Sequence, residues 1–581
     1  MSIIKDLENK INEEIRTIGY DHNFRLAISN RLDLGEYQIN DCMNLAKVYH
    51  ESPIEIAKKV VAKLEEMNIF ENINIAGPGF INLSLKEDYV VNSVNLMSED
   101  IYNNIDKLEK KTIVIDYGGA NVAKQLHVGH LRSANIGEAL KRLAKTLGYE
   151  VIGDAHLGDY GRPLGLVIRE IKERYPDLEY FNPDYKGDYT EVELPITNED
   201  LEKIYPYAST KGKEDEIYMD EAREITSKIQ KHERGYYELW KKITDISKAD
   251  VKKIYDKLGV EFELWNGEAD AVEYLDELLE IFKQKNLTVL SEGAQIVNVS
   301  KEDDNAPMPP LLLIKSNGTI SYETTDLATI LQRKREVNPD EIWYVVDSRQ
   351  SLHLEQVFRA SSLAKLVDDD VKLIHIPFGT MNGKDGKPFK TRDGGVMSLK
   401  NLINLVYDVT YNKITNESLN EEQKKNVAEI TSIATLKYAD LIPFVGTDYI
   451  FDIDKFSELE GKTGPYILYS TVRMNSLLNK AKDIEYKKYK KYQNKTDKDI
   501  ILSLLKLPSV LSHSLEIKSL NEITDYLYEL TSKYNKFYQE FRILDENNKD
   551  LQESWLILTK LVYNVNTLLL DILSIKVPEK M

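Results

Sequence analysis

What most constrains the fold of this chain is a strand, a glycine-containing loop, a helix and a second strand, in that order, within residues 112–155. Residues 112–117 are β-branched and alternate as a buried strand does. The helical stretch that follows carries an apolar face of Leu131, Ile136, Ala139, Leu140, Leu143 and Leu147, and Gly148 stands where a glycine closes a helix. Residues 150–155 are the second strand. Strands joined through a helix run parallel, so the expected fold is α/β around a doubly wound, Rossmann-type sheet. Further strand candidates at Leu311–Ile314, 341–346 and 371–376 continue the series. The charged interval at about 175–257 adds no strand and reads as a helical insertion.

Around this catalytic-type region, 111–400, the pattern changes twice. Residues 1–110 mix helical periodicity (Ile56, Ala57, Val60, Val61, Leu64) with a strand pair at 73–83 turning at Gly77-Pro78-Gly79, giving an α+β domain. A polar stretch at about 92–111 reads as a connector, and 401–581 is helical throughout. The longest apolar stretches, such as 308–314, fall short of the roughly 18–20 residues that cross a bilayer. The first helix is amphipathic rather than a signal peptide. Cys42 is the only cysteine, so no disulfide and no multi-cysteine zinc site is possible. A cytoplasmic protein without membrane attachment or protein-bound zinc is expected.

The net charge of −20 counts against nonspecific nucleic-acid binding. Even so, residues 480–498 hold eight lysines and three acids, interleaved with Tyr486, Tyr489 and Tyr492. The tract is either a solvated loop or a track for a phosphate backbone with aromatic faces for bases.

His127-Val128-Gly129-His130 falls at the strand-to-helix turn. There a helix N-terminus offers free N–H groups and a positive dipole end to phosphate, and Gly129 lets a planar base approach the backbone. The plain alternative is a histidine pair that caps the helix. A second element, residues 382–395, holds four glycines and four cations, Lys390 among them. It is either a solvated hairpin or a mobile basic loop that closes over a polyphosphate. Tyr322 and Asp326 are four apart and share a helix face, where the acid could simply serve the helix start or face a ligand.

These segments resemble the class I aminoacyl-tRNA synthetases, and their surroundings are similar to the arginine-specific members. The resemblance runs through Asp116-Tyr117-Gly118-Gly119-Ala120-Asn121-Val122-Ala123-Lys124, Leu131-Arg132-Ser133 and Gly158-Asp159-Tyr160-Gly161. It continues in Tyr322-Glu323-Thr324-Thr325-Asp326-Leu327-Ala328 and Val346-Asp347-Ser348-Arg349-Gln350. Gly35-Glu36-Tyr37-Gln38 and residues 76–82 resemble the family's additional N-terminal domain, and residues 464–473 the start of its helical anticodon-binding domain. Two positions depart: Phe389-Lys390-Thr391-Arg392 stands where the class usually has Lys-Met-Ser-Lys-Ser, and Arg162-Pro163 stands where Thr-Gln is usual.

The resemblance implies an enzyme that joins arginine to tRNA(Arg) through an arginyl-adenylate, with ATP and Mg²⁺ as substrate. It implies that His127, His130, Lys390 and Lys124 act on the phosphates, and that Gly129, Gly158 and Asp159 help hold ATP. Asp116, Asn121, Tyr322, Asp326 and Gln350 would hold arginine, and Tyr37, Gln38, Tyr469 and Arg473 would meet tRNA. A monomer that needs tRNA bound before it activates arginine is expected. The rivals are a small nucleotidyltransferase, a catalytically dead tRNA-binding relative and a class I synthetase for another amino acid; Tyr322, Asp326 and Gln350 discriminate the last.

Overall fold

A computed structural model describes residues 2–29, 31, 34–389, 397–492 and 494–581. At its centre four strands run parallel: β1 (Thr112–Asp116), β2 (Glu150–Asp154), β3 (Glu341–Asp347) and β4 (Lys372–Phe378), in the order β4-β3-β1-β2. Helix α1 (Val128–Thr146) joins β1 to β2, α2 (Tyr322–Glu336) precedes β3, and α3 (Ser351–Ala364) joins β3 to β4. The register sets Asp116 beside both Asp154 and Tyr344, so the polar strand ends lie level along one edge. In open parallel sheets that edge is where ligands bind.

Leu311–Ile314 is not part of this sheet. It pairs antiparallel with Ala294–Val297, which pairs with Thr288–Ser291. Leu311 and Leu313 still share a core with Val114, Leu327 and Ile342, so the apolar signal was sound although the pairing partner is a local hairpin. The stretch read as a connector is also corrected. Helix Glu87–Glu99 runs through its first part, burying Val90, Val94 and Met97, and a 3-10 turn follows at Ile101–Asn104. Those apolar residues recur at helical spacing but are diluted by Asn, Ser and Asp.

All described elements in 175–257 are helical, and Leu201, Ile204, Ile225, Leu239 and Ile243 form a core with Val122, Leu164, Val167 and Ile168. The N-terminal region carries a four-stranded antiparallel sheet whose hairpin pairs Phe70–Ala76 with Phe80–Leu85. Gly79 is required at its turn: φ is +132°, and a Cβ would sit 2.9 Å from the Pro53 carbonyl oxygen.

Among the described residues of the C-terminal region every element is helical except Tyr449–Ile450, which pairs with Met381–Asn382. Its last helix, Lys549–Ile572, has 24 residues and enough apolar character to match a membrane span, contrary to the reading that every apolar stretch is too short. It is mostly buried, with Leu556, Leu558, Leu561, Val562, Val565 and Leu569 packed in the helical core.

Candidate active site

The level strand ends line a cleft of about 330 Å³. Its anion-facing wall is the start of α1. His127 is the N-cap, and its Nδ1 accepts the Gly129 N–H at 3.1 Å, while His130 Nδ1 accepts the His127 N–H at 3.0 Å. The pair therefore caps the helix, and this does not exclude a ligand role. With each Nδ1 acting as acceptor, each neutral ring carries its proton on Nε2, leaving two N–H donors. Burial keeps the rings neutral: it pushes His130 down to about 3, and it lowers His127 with help from Arg349 and Lys124. A Cβ on Gly129 would lie 2.9 Å from His127 Cε1 and would push that ring from its capping position.

The opposite wall is acidic. Asp116 ends β1 and Asp154 ends β2, and both accept hydrogen bonds from Arg333 Nη2 at 2.7 Å. Tyr322 and Asp326 sit one turn apart on α2, with Glu268 in the same lining. His353 Nε2 lies 2.5 Å from Asp326 Oδ2, and the His353 and Tyr322 rings are 5.0 Å apart. Burial pushes the Glu268 carboxyl up to about 8, aided by the charges of Asp326 and Asp159. Although 54% of Tyr322 is open to solvent, the Asp326 charge and then burial raise its phenol, with Glu268 and Asp116 adding to the effect. A buried carboxyl whose proton affinity is raised by a neighbouring carboxylate marks a hole for a cation.

Among the other expected residues, Asn121, Gly158 and Gln350 line the cleft. Asn121 and Gly158 are bridged through their backbones, and a Cβ on Gly158 would meet Asn121 Oδ1 at 2.4 Å. Asp159 is turned away from the cleft. Its Oδ1 accepts the Ala269 N–H at 3.0 Å, which anchors the loop that carries Glu268. Lys124 is outside the lining, with its ammonium 4.7 Å over the Tyr205 ring. Lys390 lies outside the described residues.

The four residues expected to meet tRNA lie away from this cleft. Tyr37 is buried, and Gln38 Nε2 donates to Asn82 Oδ1 at 2.7 Å. Tyr469 is exposed, and the Arg473 guanidinium stacks 4.5 Å over Tyr538 while bonding Asn535.

Sequence reasoning missed Glu268 and His353; His156, which the family resemblance implied as a strand-end polar residue of the ATP pocket, does line the cleft. The two nitrogens of His156 are buried without a hydrogen-bond partner among the described residues. Its place in the motif-bearing turn after β2 was a usable signal. Glu268 offered none, because its loop reaches the site through backbone bridges from Leu264 to Asp154 and from Gly267 to Leu157.

Residues 92–453 match the catalytic domain of class I tRNA synthetases of the arginine type, 467–581 the DALR anticodon-binding domain, and 5–85 the arginyl-tRNA synthetase N-terminal domain. The arginine–tRNA ligase of Alkaliphilus oremlandii is 43% identical over 585 residues, covering all of both chains. That of Agathobacter rectalis is 43% identical over 598 residues with the same coverage. A crystal structure of arginyl-tRNA synthetase from Plasmodium falciparum superposes with a TM-score of 0.81 at 25% identity, covering 100% of this chain and 99% of that one. The Thermus thermophilus enzyme, at 18% identity and full coverage of both chains, shares the fold with a TM-score of 0.77.

Proposed function

The chain belongs to the arginyl-tRNA synthetase family, and from that premise we propose that it activates L-arginine with ATP and transfers the arginyl group to the 3′-terminal ribose of tRNA(Arg). The observation that carries this reading is one cleft with two neutral Nε2–H donors at one wall and the carboxylates of Asp116, Glu268 and Asp326 at the other.

In the first step an arginine carboxylate oxygen attacks the α-phosphorus of Mg²⁺–ATP, and the bond to the bridging oxygen breaks to release pyrophosphate. In the second, the 2′-hydroxyl of the terminal ribose attacks the acyl carbon and AMP leaves. No protein nucleophile is needed, so catalysis consists of positioning and charge stabilisation. His127 and His130 donate to phosphate oxygens, and Lys390 and Lys124 supply positive charge. Lys124 would first leave the Tyr205 ring, a contact worth about 0.5–1 kcal/mol when exposed, so a polyphosphate can draw it away. Gly129 and Gly158 let ATP approach the backbone. Asp159 serves by holding the Glu268 loop.

Asp326, with Tyr322 and Glu268 beside it, receives the guanidinium, while Asp116, Asn121 and Gln350 fix the rest of the amino acid. Lysine would leave part of this acceptor set unpaired, at a cost of about 1–3 kcal/mol for each buried bond not made. The regions 1–110, 111–400 and 401–581 serve as tRNA-binding, catalytic and anticodon-binding domains of a cytoplasmic monomer without protein-bound zinc. Gln38, Tyr469 and Arg473 lie on the tRNA surface, with Tyr37 as support beneath Gln38.

The experiment is charging of tRNA(Arg) with labelled amino acids. Arginine should be esterified and lysine rejected; equal charging with lysine, or none with arginine, would contradict the proposal.

A further inference from the structure

We propose that His353 is a positioning residue of the arginine pocket: it orients the Asp326 carboxylate for the guanidinium and gives up a proton as arginine docks. This rests on the assignment of Asp326 to arginine.

His353 belongs to α3, while Asp326 belongs to α2, and the 2.5 Å bond ties the two helices together in the cleft lining. Asp326 Oδ2 is engaged, and Oδ1 has no hydrogen-bond partner among the described residues. A carboxylate held by one oxygen presents the other in a fixed direction, which planar guanidinium recognition requires. The Tyr322 ring lies against the imidazole and limits its rotation.

The groups around His353 are Tyr322, Glu323 and Asp326 from α2, Glu268 from its loop, and Asp347 and Arg349 at the end of β3. Burial opposes charge on the imidazole, but the Asp326 bond and the charges of Asp326 and Glu323 outweigh it and raise its proton affinity. In the free protein the ring therefore holds its second proton more tightly than an ordinary imidazole does. An arriving guanidinium adds a second cation beside the same carboxylate, and the proton on Nδ1 then leaves to solvent while Nε2–H keeps its bond to Asp326. Arginine binding therefore releases a proton, and the KM for arginine falls as pH rises through the free-protein titration of His353.

The test is arginine-dependent pyrophosphate exchange at saturating tRNA and Mg²⁺–ATP, from about pH 6 to about pH 8.5. It compares the unaltered protein with His353→Leu, His353→Gln and Asp326→Asn. His353→Leu should raise the KM for arginine roughly tenfold with kcat within about threefold. His353→Gln, whose amide still donates, should stay within about threefold of the original KM and lose the lower-pH part of the KM profile, keeping the limb due to Glu268. An unchanged KM in His353→Leu, or an unaltered profile in His353→Gln, overturns the inference while Asp326→Asn still raises KM. If Asp326→Asn also leaves KM unchanged, the assignment of the pocket itself fails.

Discussion

Glu268 shows how a single carboxyl can serve binding at the expense of stability. It is pushed up to about 8, by burial first and by Asp326 and Asp159 after it, from an ordinary value of about 4.3. Between those values the folded chain binds more protons than the unfolded one. The contribution is therefore full below about pH 4 and is lost as pH rises through about 8. Glu268→Gln removes that loss, so its melting temperature should exceed that of the unaltered protein by a margin that grows from about pH 5 to about pH 8. The same substitution should raise the KM for arginine roughly tenfold or more while leaving the KM for ATP within about twofold. A margin that does not vary with pH, or an unchanged arginine KM, would remove Glu268 from the cation hole. The histidines at the other wall illustrate a second point: their capping and ligand roles looked like rival readings in sequence, yet Nδ1 performs one and Nε2, without a hydrogen-bond partner among the described residues, is left for the other.

At the scale of elements, α1 was the most legible part of the chain, because apolar spacing, N-cap and closing glycine all agreed. Within it Gly137 has a role that no periodicity reveals. A Cβ there would lie 2.2 Å from Tyr117 Cγ, and Tyr117 is held by its hydroxyl, whose one proton is shared between Glu138 Oε2 at 2.8 Å and the Glu261 carbonyl oxygen at 2.7 Å. Alanine favours a helix over glycine by about 1 kcal/mol, but overpacking against a pinned ring costs about 1–3 kcal/mol or more. Gly137→Ala should therefore lower the urea midpoint, and a raised midpoint would show that Tyr117 can move aside. What the sequence hid at this scale is which partner an element takes. The apolar pattern marked Leu311–Ile314 as a strand but not its antiparallel pairing with Ala294–Val297, and the Glu268 loop is placed by backbone bridges that leave no local pattern. The helix Glu87–Glu99 was concealed by the polar residues around its buried face.

At the scale of the whole molecule, the three regions share one continuous core. Parts of the basic tract at 480–498 are tied into the fold. Tyr489 is buried and its N–H donates to Asn95 Oδ1 at 2.7 Å, Glu553 Oε1 accepts the N–H groups of Lys487 and Lys488, and Lys498 pairs with Glu36 at 2.8 Å. It seals the N-terminal region onto the last helix.

Lys437 does similar work at another junction, donating to the Leu258 carbonyl at 2.7 Å and the Ser574 carbonyl at 2.8 Å. Burial pushes it down to about 7 from an ordinary value of about 10.4, so folding releases a proton between those values. Its contribution is full above about pH 10 and is lost as pH falls through about 7. Lys437→Met leaves two carbonyls unpaired, at about 1–3 kcal/mol each, and should be less stable near pH 9 by a gap that narrows toward pH 7. Urea midpoints across that range check it, and a gap that widens would refute it.

The central claim, adenylation of arginine in this cleft, is tested most directly by ATP–pyrophosphate exchange with each amino acid, with and without tRNA(Arg). The predicted result is exchange with arginine alone, and only when tRNA is present. No exchange with arginine and tRNA together, or exchange with another amino acid instead, would contradict it.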